Sequence, residues 1–220
     1  MTADTVGPEG SSETNGPCAY VVDDIQLNRE MMAGLLGSAG IAAESFASAR
    51  QFLDAFDPTR PGCILLDIRM PEMSGLDLQA ELNRRGVVVP VVMITAHADV
   101  PIAIQAMREG AYEFIEKPVD NAHLLDVVRR AFETCAERLR EQAARVSVQA
   151  RYDILSAREL QVLEAMVDGR LNKQIAFDLG ISQRTVEVHR ANVMEKMQAR
   201  SLAELVRMTI RLGEGGERSA

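Results

Sequence analysis

Cys63-Ile-Leu-Leu-Asp67 is an apolar run that ends on a carboxylate, and three other stretches end on residues able to handle phosphate or a metal. They are Ala19-Tyr-Val-Val-Asp23-Asp24, Val91-Val-Met-Ile-Thr95 and Phe114-Ile-Glu-Lys117-Pro118. Runs of aliphatic and β-branched residues, separated by segments with helical spacing, are typical of buried strands in a parallel α/β sheet. These stretches therefore predict a doubly wound α/β fold.

The ends of these predicted strands carry Asp23, Asp24, Asp67, Thr95 and Lys117. Parallel strands share one direction, so their C-terminal ends lie along one edge of the sheet, where open α/β folds place their sites. We therefore expect the five side chains to converge, although 94 positions separate Asp23 from Lys117.

The first part of the chain has five strand patterns with helical patterns between them. Five β-α units in about 120 residues predict a five-stranded parallel sheet. The fifth helix is predicted to begin near Asn121 and to continue as a linker, because Pro and Gly are absent from residues 120–148. The strands are predicted near residues 19–23, 43–46, 62–67, 90–95 and 112–115.

The chain after Ser156 has no strand pattern and is predicted to be all-helical. Ser156 and Glu159 have the spacing of a capping box, Gly180 stops a second helix, and Ser182 caps a third. A short helix, a tight turn and a longer helix are the elements of a helix-turn-helix DNA reader. The helices are predicted near residues 156–169, 172–179, 182–197 and from 201 onwards.

The composition is that of a globular protein without a membrane anchor. Apolar residues make up 47% of the 220 residues, yet no window of about 18 uninterrupted apolar residues occurs. Residues 1–17 lack the features of a secretory signal and predict a disordered tail on a cytoplasmic protein. The three cysteines, Cys18, Cys63 and Cys135, form no pattern and are expected to be buried or inert thiols.

Charge is unevenly distributed along the chain. The net charge is −8, but residues 151–212 contain 10 basic and 8 acidic residues, which is +2 and leaves −10 for the rest. This division predicts two domains with different partners, although +2 alone is a weak signal of DNA binding.

A cluster of Asp23, Asp24 and Asp67 predicts a magnesium site. Carboxylates brought close together repel one another unless a cation lies among them. Mg²⁺ prefers a few carboxylate oxygens, keeps water ligands and leaves positions for phosphate oxygens. Asp67 could then attack a phosphoryl group in line, with Lys117 and the Thr95 hydroxyl holding the equatorial oxygens.

The same motifs resemble the receiver domain of two-component response regulators over about residues 18–135. Receiver domains have a flavodoxin-like fold. The resemblance implies that a sensor histidine kinase donates phosphate to Asp67. It also implies that Mg²⁺ is held by Asp24, Asp67, Asp23 through water, and the main-chain carbonyl of Arg69. It further implies a cis Lys117-Pro118 bond and a switch formed by Thr95 and Phe114. Since Phe114 lacks the hydroxyl of the tyrosine often found there, that switch must work through packing.

An enzymatic alternative is a Mg²⁺-dependent aspartyl phosphatase of the haloacid dehalogenase type. Such enzymes place a second Asp two residues after the nucleophile as general acid, but residue 69 is Arg. His97 could act as a base, yet its position two residues past Thr95 favours a helix cap or a role in water access. We therefore expect no substrate turnover beyond self-phosphorylation and phosphate loss.

The C-terminal part resembles the LuxR/FixJ-type DNA-binding domain over about 60 residues. The matching motifs are Leu155-Ser-Ala-Arg-Glu, Asn172-Lys-Gln-Ile-Ala and Arg184-Thr-Val-Glu-Val-His-Arg. Both resemblances together indicate a NarL/FixJ-class transcriptional regulator, closest to the FixJ branch. The predicted organisation is a tail (1–17), a receiver (18–135), a helical linker (136–150), a DNA-binding domain (151–212) and a flexible C-terminus (213–220).

The third helix of this domain has two distinct faces. Val186, His189, Val193 and Met197 recur at the spacing of an inward stripe, and the opposite face is predicted to read the major groove. Apolar groups there can meet thymine methyls, and a carboxylate can accept from a cytosine amino group. The predicted base readers are Glu187, Val188 and Ala191, with Glu195 on the same face, and the predicted phosphate contacts are Lys173, Arg184, Thr185 and Arg190.

The expected regulation is dimerisation of the receiver on phosphorylation, because one short DNA-binding domain should bind a half-site poorly. The resemblance places the interface on the helix near residues 100–108, where Pro101, Ile102 and Gln105 are candidate contacts, and on the strand around 112–115. The partners are therefore a histidine kinase, double-stranded promoter DNA, a second copy of the chain and RNA polymerase, with no membrane. An RNA-binding antiterminator is the alternative output, but the Ser-x-Arg-Thr-Val helix start favours duplex DNA.

Overall fold

The computed structural model describes residues 16–96 and 100–213. Its contacts divide the chain into two compact units, Met1–Leu139 and Arg140–Ala220. Outside the described residues lie His97, most of the predicted N-terminal tail, and all but the first residue of the predicted flexible C-terminus (213–220).

The first unit is built on a five-stranded parallel sheet, which confirms the predicted doubly wound fold. The strand order is β2-β1-β3-β4-β5, and the helices that follow β1 and β5 cover one face of the sheet while those that follow β2, β3 and β4 cover the other. The cross-strand pairs Val22 with Leu66, and Thr95 with Glu116, align the carboxyl ends of the strands along one edge. The elements are β1 (Cys18–Val22), α1 (Gln26–Ser38), β2 (Ala42–Phe46), α2 (Ala49–Ala55), β3 (Gly62–Asp67), α3 (Gly75–Arg84), β4 (Val91–Thr95), α4 (Val100–Arg108), β5 (Glu113–Glu116) and α5 (Asn121–Asp153).

Two hydrophobic cores lie on the two faces of this sheet. Leu66 of β3 belongs to a core with Leu78 of α3, whereas its neighbour Leu65 belongs to a core with Leu36 of α1 and Leu124 of α5. Successive side chains of a strand point to opposite faces, so strands buried on both faces need continuous apolar runs. This requirement explains why β1, β3 and β4 read as unbroken apolar segments.

The second unit contains four helices of its own, as the sequence predicted: α6 (Ala157–Val167), α7 (Asn172–Leu179), α8 (Gln183–Lys196) and α9 (Leu202–Gly213). The predicted capping box of Ser156 and Glu159 is present, and Ser182 caps α8 by accepting a hydrogen bond from the Thr185 amide. Gly180 ends α7 with a φ of 65°, a conformation that favours glycine. α5 is continuous to Asp153, which confirms the predicted helical continuation beyond the sheet.

Candidate functional site

Three strand ends converge on the ammonium group of Lys117, which follows β5. Lys117 Nζ donates to Asp23 Oδ2 at 2.8 Å and to Asp67 Oδ1 at 2.7 Å. Asp23 is 1% exposed and Asp67 8% exposed, so both carboxylates are largely withdrawn from water. The predicted convergence at the carboxyl edge of the sheet is therefore confirmed for these three residues.

The loop after β3 holds the Asp67 carboxylate and main chain in place. The main-chain N–H of Arg69 donates to Asp67 Oδ2 at 2.7 Å, while the Arg69 side chain is exposed. Gly75, the first residue of α3, lies so close that a Cβ atom there would be 2.3 Å from the carbonyl oxygen of Asp67. Only glycine allows α3 to begin this close to the strand end.

Two residues of α1 that the sequence analysis did not single out hold Asp23. The Asn28 amide donates to both carboxylate oxygens of Asp23, at 3.2 Å and 3.0 Å, and Arg29 Nη1 donates to the Asp23 main-chain carbonyl at 2.6 Å. Only Asp24 and Ile25 separate Asp23 from the first turn of α1. That short connection is the sequence signal that could have indicated these contacts.

The predicted cluster of three carboxylates does not form in this structure. Asp24 is exposed, and in the two described stretches no three His, Cys, Asp or Glu side chains are close enough together to hold a metal ion. The Asp23 main-chain N–H still pairs with the Phe46 carbonyl oxygen at 3.2 Å, whereas Asp24 lies at the bend that leads into α1. Because the chain leaves the sheet between these two residues, Asp23 is buried and Asp24 faces solvent.

The charges of the site nevertheless fit a divalent cation. Burial alone would lower the pKa of Lys117, but its hydrogen bonds to Asp23 and Asp67 and their charges raise that pKa above its ordinary value. Lys117 thus stays cationic, and its one charge is shared by two buried carboxylates. Mg²⁺ binds proteins through one or two carboxylates and retains several waters, so the donor chemistry of Asp23 and Asp67 suits it.

The remaining predicted residues of this site lie on β4 and β5. Thr95 is buried at the end of β4, and its main-chain carbonyl accepts from the Lys117 N–H at 2.8 Å. Phe114 is partly buried and packs against the core that includes Leu66 and Leu78. The Lys117-Pro118 peptide bond is cis, as the family resemblance implied.

The helix α8 of the second unit has the predicted inward and outward faces. Val186, Val193 and Met197 are buried, and His189 is partly buried. Val188 is 54% exposed although it is apolar. Glu187, Ala191 and Glu195 are also exposed, so the predicted reading face is accessible.

The predicted phosphate contacts surround that face. Lys173 on α7 and Arg184 and Thr185 on α8 are exposed, and Arg190 is partly exposed. The Thr185 hydroxyl also hydrogen-bonds Ser182 Oγ at 2.8 Å, so it belongs to the cap at the start of α8.

A salt bridge holds the C-terminal end of α8 in place. Lys196 Nζ donates to Glu159 Oε2 at 2.6 Å, and Glu159 is itself part of the capping box of α6. Lys196, together with the Ser156 main-chain N–H, lowers the pKa of the buried Glu159 carboxyl to about 2. The pair joins the start of α6 to the end of α8 and thereby orients the reading face on its own domain.

Both units match known protein families. Residues 19–129 match the response regulator receiver domain, and residues 153–209 match the luxR family of bacterial regulatory proteins. The chain belongs to the response regulators with a LuxR-type output domain. It is thereby a member of a family of two-component transcriptional regulators.

Similar proteins extend over nearly the whole chain. The transcriptional regulatory protein FixJ of Azorhizobium caulinodans is 52% identical over 194 residues, covering 88% of this chain and 92% of FixJ. The response regulator protein TodT of Pseudomonas putida is 42% identical over 90% of this chain and 87% of TodT. The solved structure of the response regulator StyR has a TM-score of 0.77 and 42% identity, covering 89% of this chain and 99% of StyR.

Within residues 16–96 and 100–213, every helix is too short or too polar to span a bilayer.

Proposed function

We propose that this response regulator accepts a phosphoryl group on Asp67 from a sensor histidine kinase and then binds promoter DNA as a dimer through α8. The observation that carries the proposal is the placement of Lys117, which joins the buried carboxylates of Asp23 and Asp67 at one edge of the sheet. A cation shared by two carboxylates is available to phosphoryl oxygens once one of those carboxylates has become an acyl phosphate.

Asp67 suits the nucleophilic role better than Asp23. Both oxygens of Asp23 accept hydrogen bonds from Asn28, in addition to those from Ile25 and Lys117. Asp67 accepts from the Arg69 main chain and from Lys117, and it is the more exposed of the two carboxylates. In the proposed step an Asp67 oxygen forms a bond to phosphorus while the phosphorus–nitrogen bond of the kinase phosphohistidine breaks.

Asp23, Asp24, Asp67 and the main-chain carbonyl of Arg69 are the proposed holders of Mg²⁺. The bound ion would supply positive charge that offsets the negative charge of the phosphoryl oxygens. The support for this assignment is the buried pair of carboxylates with a single shared ammonium, beside the exposed carboxylate of Asp24.

The proposed route from the site to dimerisation runs through Thr95 and Phe114 to α4. Ile102 is replaced as a candidate contact of the dimer interface, because its side chain packs against the core. The large apolar side chains that α4 exposes are Val100, Ile104 and Met107. Pro101 and Gln105 are exposed and remain candidates. Apolar side chains grouped on one exposed helix face fit an interface with a second copy.

The proposed output is recognition of double-stranded DNA in the cytoplasm and contact with RNA polymerase. On α8, Val188, Ala191 and Glu187 would contact base edges, while Arg184, Thr185, Arg190 and Lys173 would contact phosphates. The exposure of the apolar Val188 side chain supports this assignment. No turnover of a separate substrate is proposed.

The direct test is phosphorylation of the full-length chain by acetyl phosphate with Mg²⁺. The wild-type protein should form an adduct that is stable in acid and labile in alkali, and Asp67→Asn should form none. Asp126→Asn, at an exposed position on α5, is the control and should be phosphorylated normally. An undiminished adduct in Asp67→Asn would refute the assignment of the phosphoacceptor.

A further inference from the structure

The side-chain amide of Asn28 contacts both carboxylate oxygens of Asp23. Its Nδ2 donates to Oδ1 at 3.2 Å and to Oδ2 at 3.0 Å, while Lys117 reaches only Oδ2. Asn28 itself is only partly buried. It lies in the first turn of α1, five residues after Asp23.

The other donors to the Asp23 carboxylate each contact one of its two oxygens. The Ile25 main-chain N–H donates to Oδ1 at 2.8 Å and Lys117 donates to Oδ2 at 2.8 Å, so each oxygen has one donor besides Asn28. Arg29 fixes the main-chain carbonyl of Asp23 rather than its carboxylate. Asn28 is thus the contact that sets the rotation of the carboxylate plane, because it holds both oxygens at once.

The role of Asn28 becomes larger when Lys117 changes partners. In the proposed function Lys117 contacts phosphoryl oxygens, and its hydrogen bond to Asp23 is then shared or lost. The Ile25 N–H reaches Oδ1, so without Asn28 the buried Oδ2 would then lose its hydrogen bond, which is costly, and the carboxylate would turn toward the nearest cation. Asn28 keeps Asp23 satisfied and oriented in both situations.

We infer that Asn28 is a positioning residue for the magnesium site, acting through Asp23; this inference rests on the proposed function. Hydrogen-bond partners behind metal-binding carboxylates typically change metal affinity by about 10–100-fold when they are removed. Asn28 acts by donation of hydrogen bonds, so a replacement that restores a donor should restore the affinity.

The test is a Mg²⁺ titration of the full-length chain by isothermal calorimetry, paired with the Mg²⁺-dependent rise of the melting temperature. Asn28→Ala, and Asn28→Leu as a variant of similar size, should bind Mg²⁺ about 10–100-fold more weakly than the wild type. Asn28→His should recover most of the loss, because its Nδ1 lies as many bonds from Cα as the Asn Nδ2. Gln26→Ala is the matched control, since the Gln26 amide bonds exposed Glu30 on the same helix.

The outcomes separate this inference from the function on which it rests. If the wild-type chain binds no Mg²⁺, the proposed metal site and the inference both fail. If the wild type binds Mg²⁺ and a folded Asn28→Ala or Asn28→Leu variant binds it equally well, the inference alone fails. If both variants are weak and Asn28→His is no better, donation by Asn28 is refuted. Circular dichroism establishes which variants are folded.

Discussion

Lys117 Nζ lies 2.7 Å from Asp67 Oδ1 although 50 residues separate them along the chain, and the same nitrogen contacts Asp23. Lys117 is therefore both a structural counterion of the sheet edge and the proposed ligand of the phosphoryl group. The first role requires that the ammonium group is held by the carboxylates, and the second requires that it can also contact a phosphoryl group. One ammonium shared by two carboxylates is compatible with both roles, because it does not fully neutralise either carboxylate.

Replacement of Lys117 by Met should destabilise the first unit and make it depend on Mg²⁺. Removing the cation leaves two buried carboxylates unpaired, which costs about 3 kcal/mol. Urea unfolding should show this loss in the absence of Mg²⁺ and a smaller loss in its presence. Lys173→Met, at an exposed position of the second unit, should show neither effect. A Lys117→Met loss that Mg²⁺ does not reduce would contradict the shared-cation account.

Gly75→Ala should damage the proposed phosphoacceptor site, because the added Cβ would lie 2.3 Å from the Asp67 carbonyl oxygen. The main chain must move, so we expect a loss of roughly 2 kcal/mol or more, together with slower phosphorylation by acetyl phosphate. Gly34→Ala is the control: nothing lies within 4 Å of its added Cβ inside α1. That substitution should stabilise the helix by about 0.5–1 kcal/mol. Equal stability of the two variants would be the contrary result.

The contribution of Glu159 to stability should depend on pH. Its carboxyl has a pKa of about 2 in the folded chain against an ordinary value of 4.5. A lowered folded pKa gives stability that is complete above about pH 4.5 and is lost as the pH falls through about 2. The difference in unfolding free energy between wild type and Glu159→Gln should therefore shrink across this range. Lys196→Met should weaken the same dependence and leave only the part due to Ser156, and a Lys196→Met variant with the wild-type acid profile would contradict the assignment.

Sequence preference and general DNA affinity should separate on α8. Val188→Ala or Glu187→Ala should change the preference at one base position by about 1–3 kcal/mol. Arg190→Ala should weaken binding to all sequences alike and reduce the salt dependence by about one unit. Binding to a randomised DNA library at two salt concentrations measures both effects. If Arg190→Ala redirected sequence preference while Val188→Ala had no effect, the assignment of the two sets would be reversed.

Phosphorylation should produce a dimer through α4. Sedimentation should show a monomer without beryllofluoride, a mimic of the Asp67 phosphoryl group, and a dimer with it. Ile104→Glu, on the exposed apolar face of α4, should weaken the dimer at least about tenfold, or 1.4 kcal/mol. Leu27→Glu, at an exposed apolar position on α1, should leave it intact. A chain that stays monomeric with beryllofluoride, while its promoter affinity still rises, would refute dimerisation and favour relief of a restraint on the DNA-binding unit.

The strands and the residues at their ends followed from the sequence alone. Strands buried on both faces require unbroken apolar runs, so Cys63-Ile-Leu-Leu-Asp67 predicts both the strand and the carboxylate at its end. The buried face of α8 was also predictable, because Val186 and Val193 are apolar and recur at a helical period, which indicates a face that packs inward. In these cases a local pattern is sufficient, since burial imposes a fixed period on the chain.

Only the tertiary structure decided which side chains meet at the site and which surfaces remain exposed. Asp24 shares the acidic motif with Asp23 but faces solvent, and which side chain of α1 contacts Asp23 depends on how that helix is rotated against the sheet. Ile102 and Ile104 are equally apolar, yet Ile102 packs inward and Ile104 lies on the surface. The physical reason is that these outcomes depend on how α1 and α4 pack against the sheet. That packing is set by contacts among residues far apart along the chain.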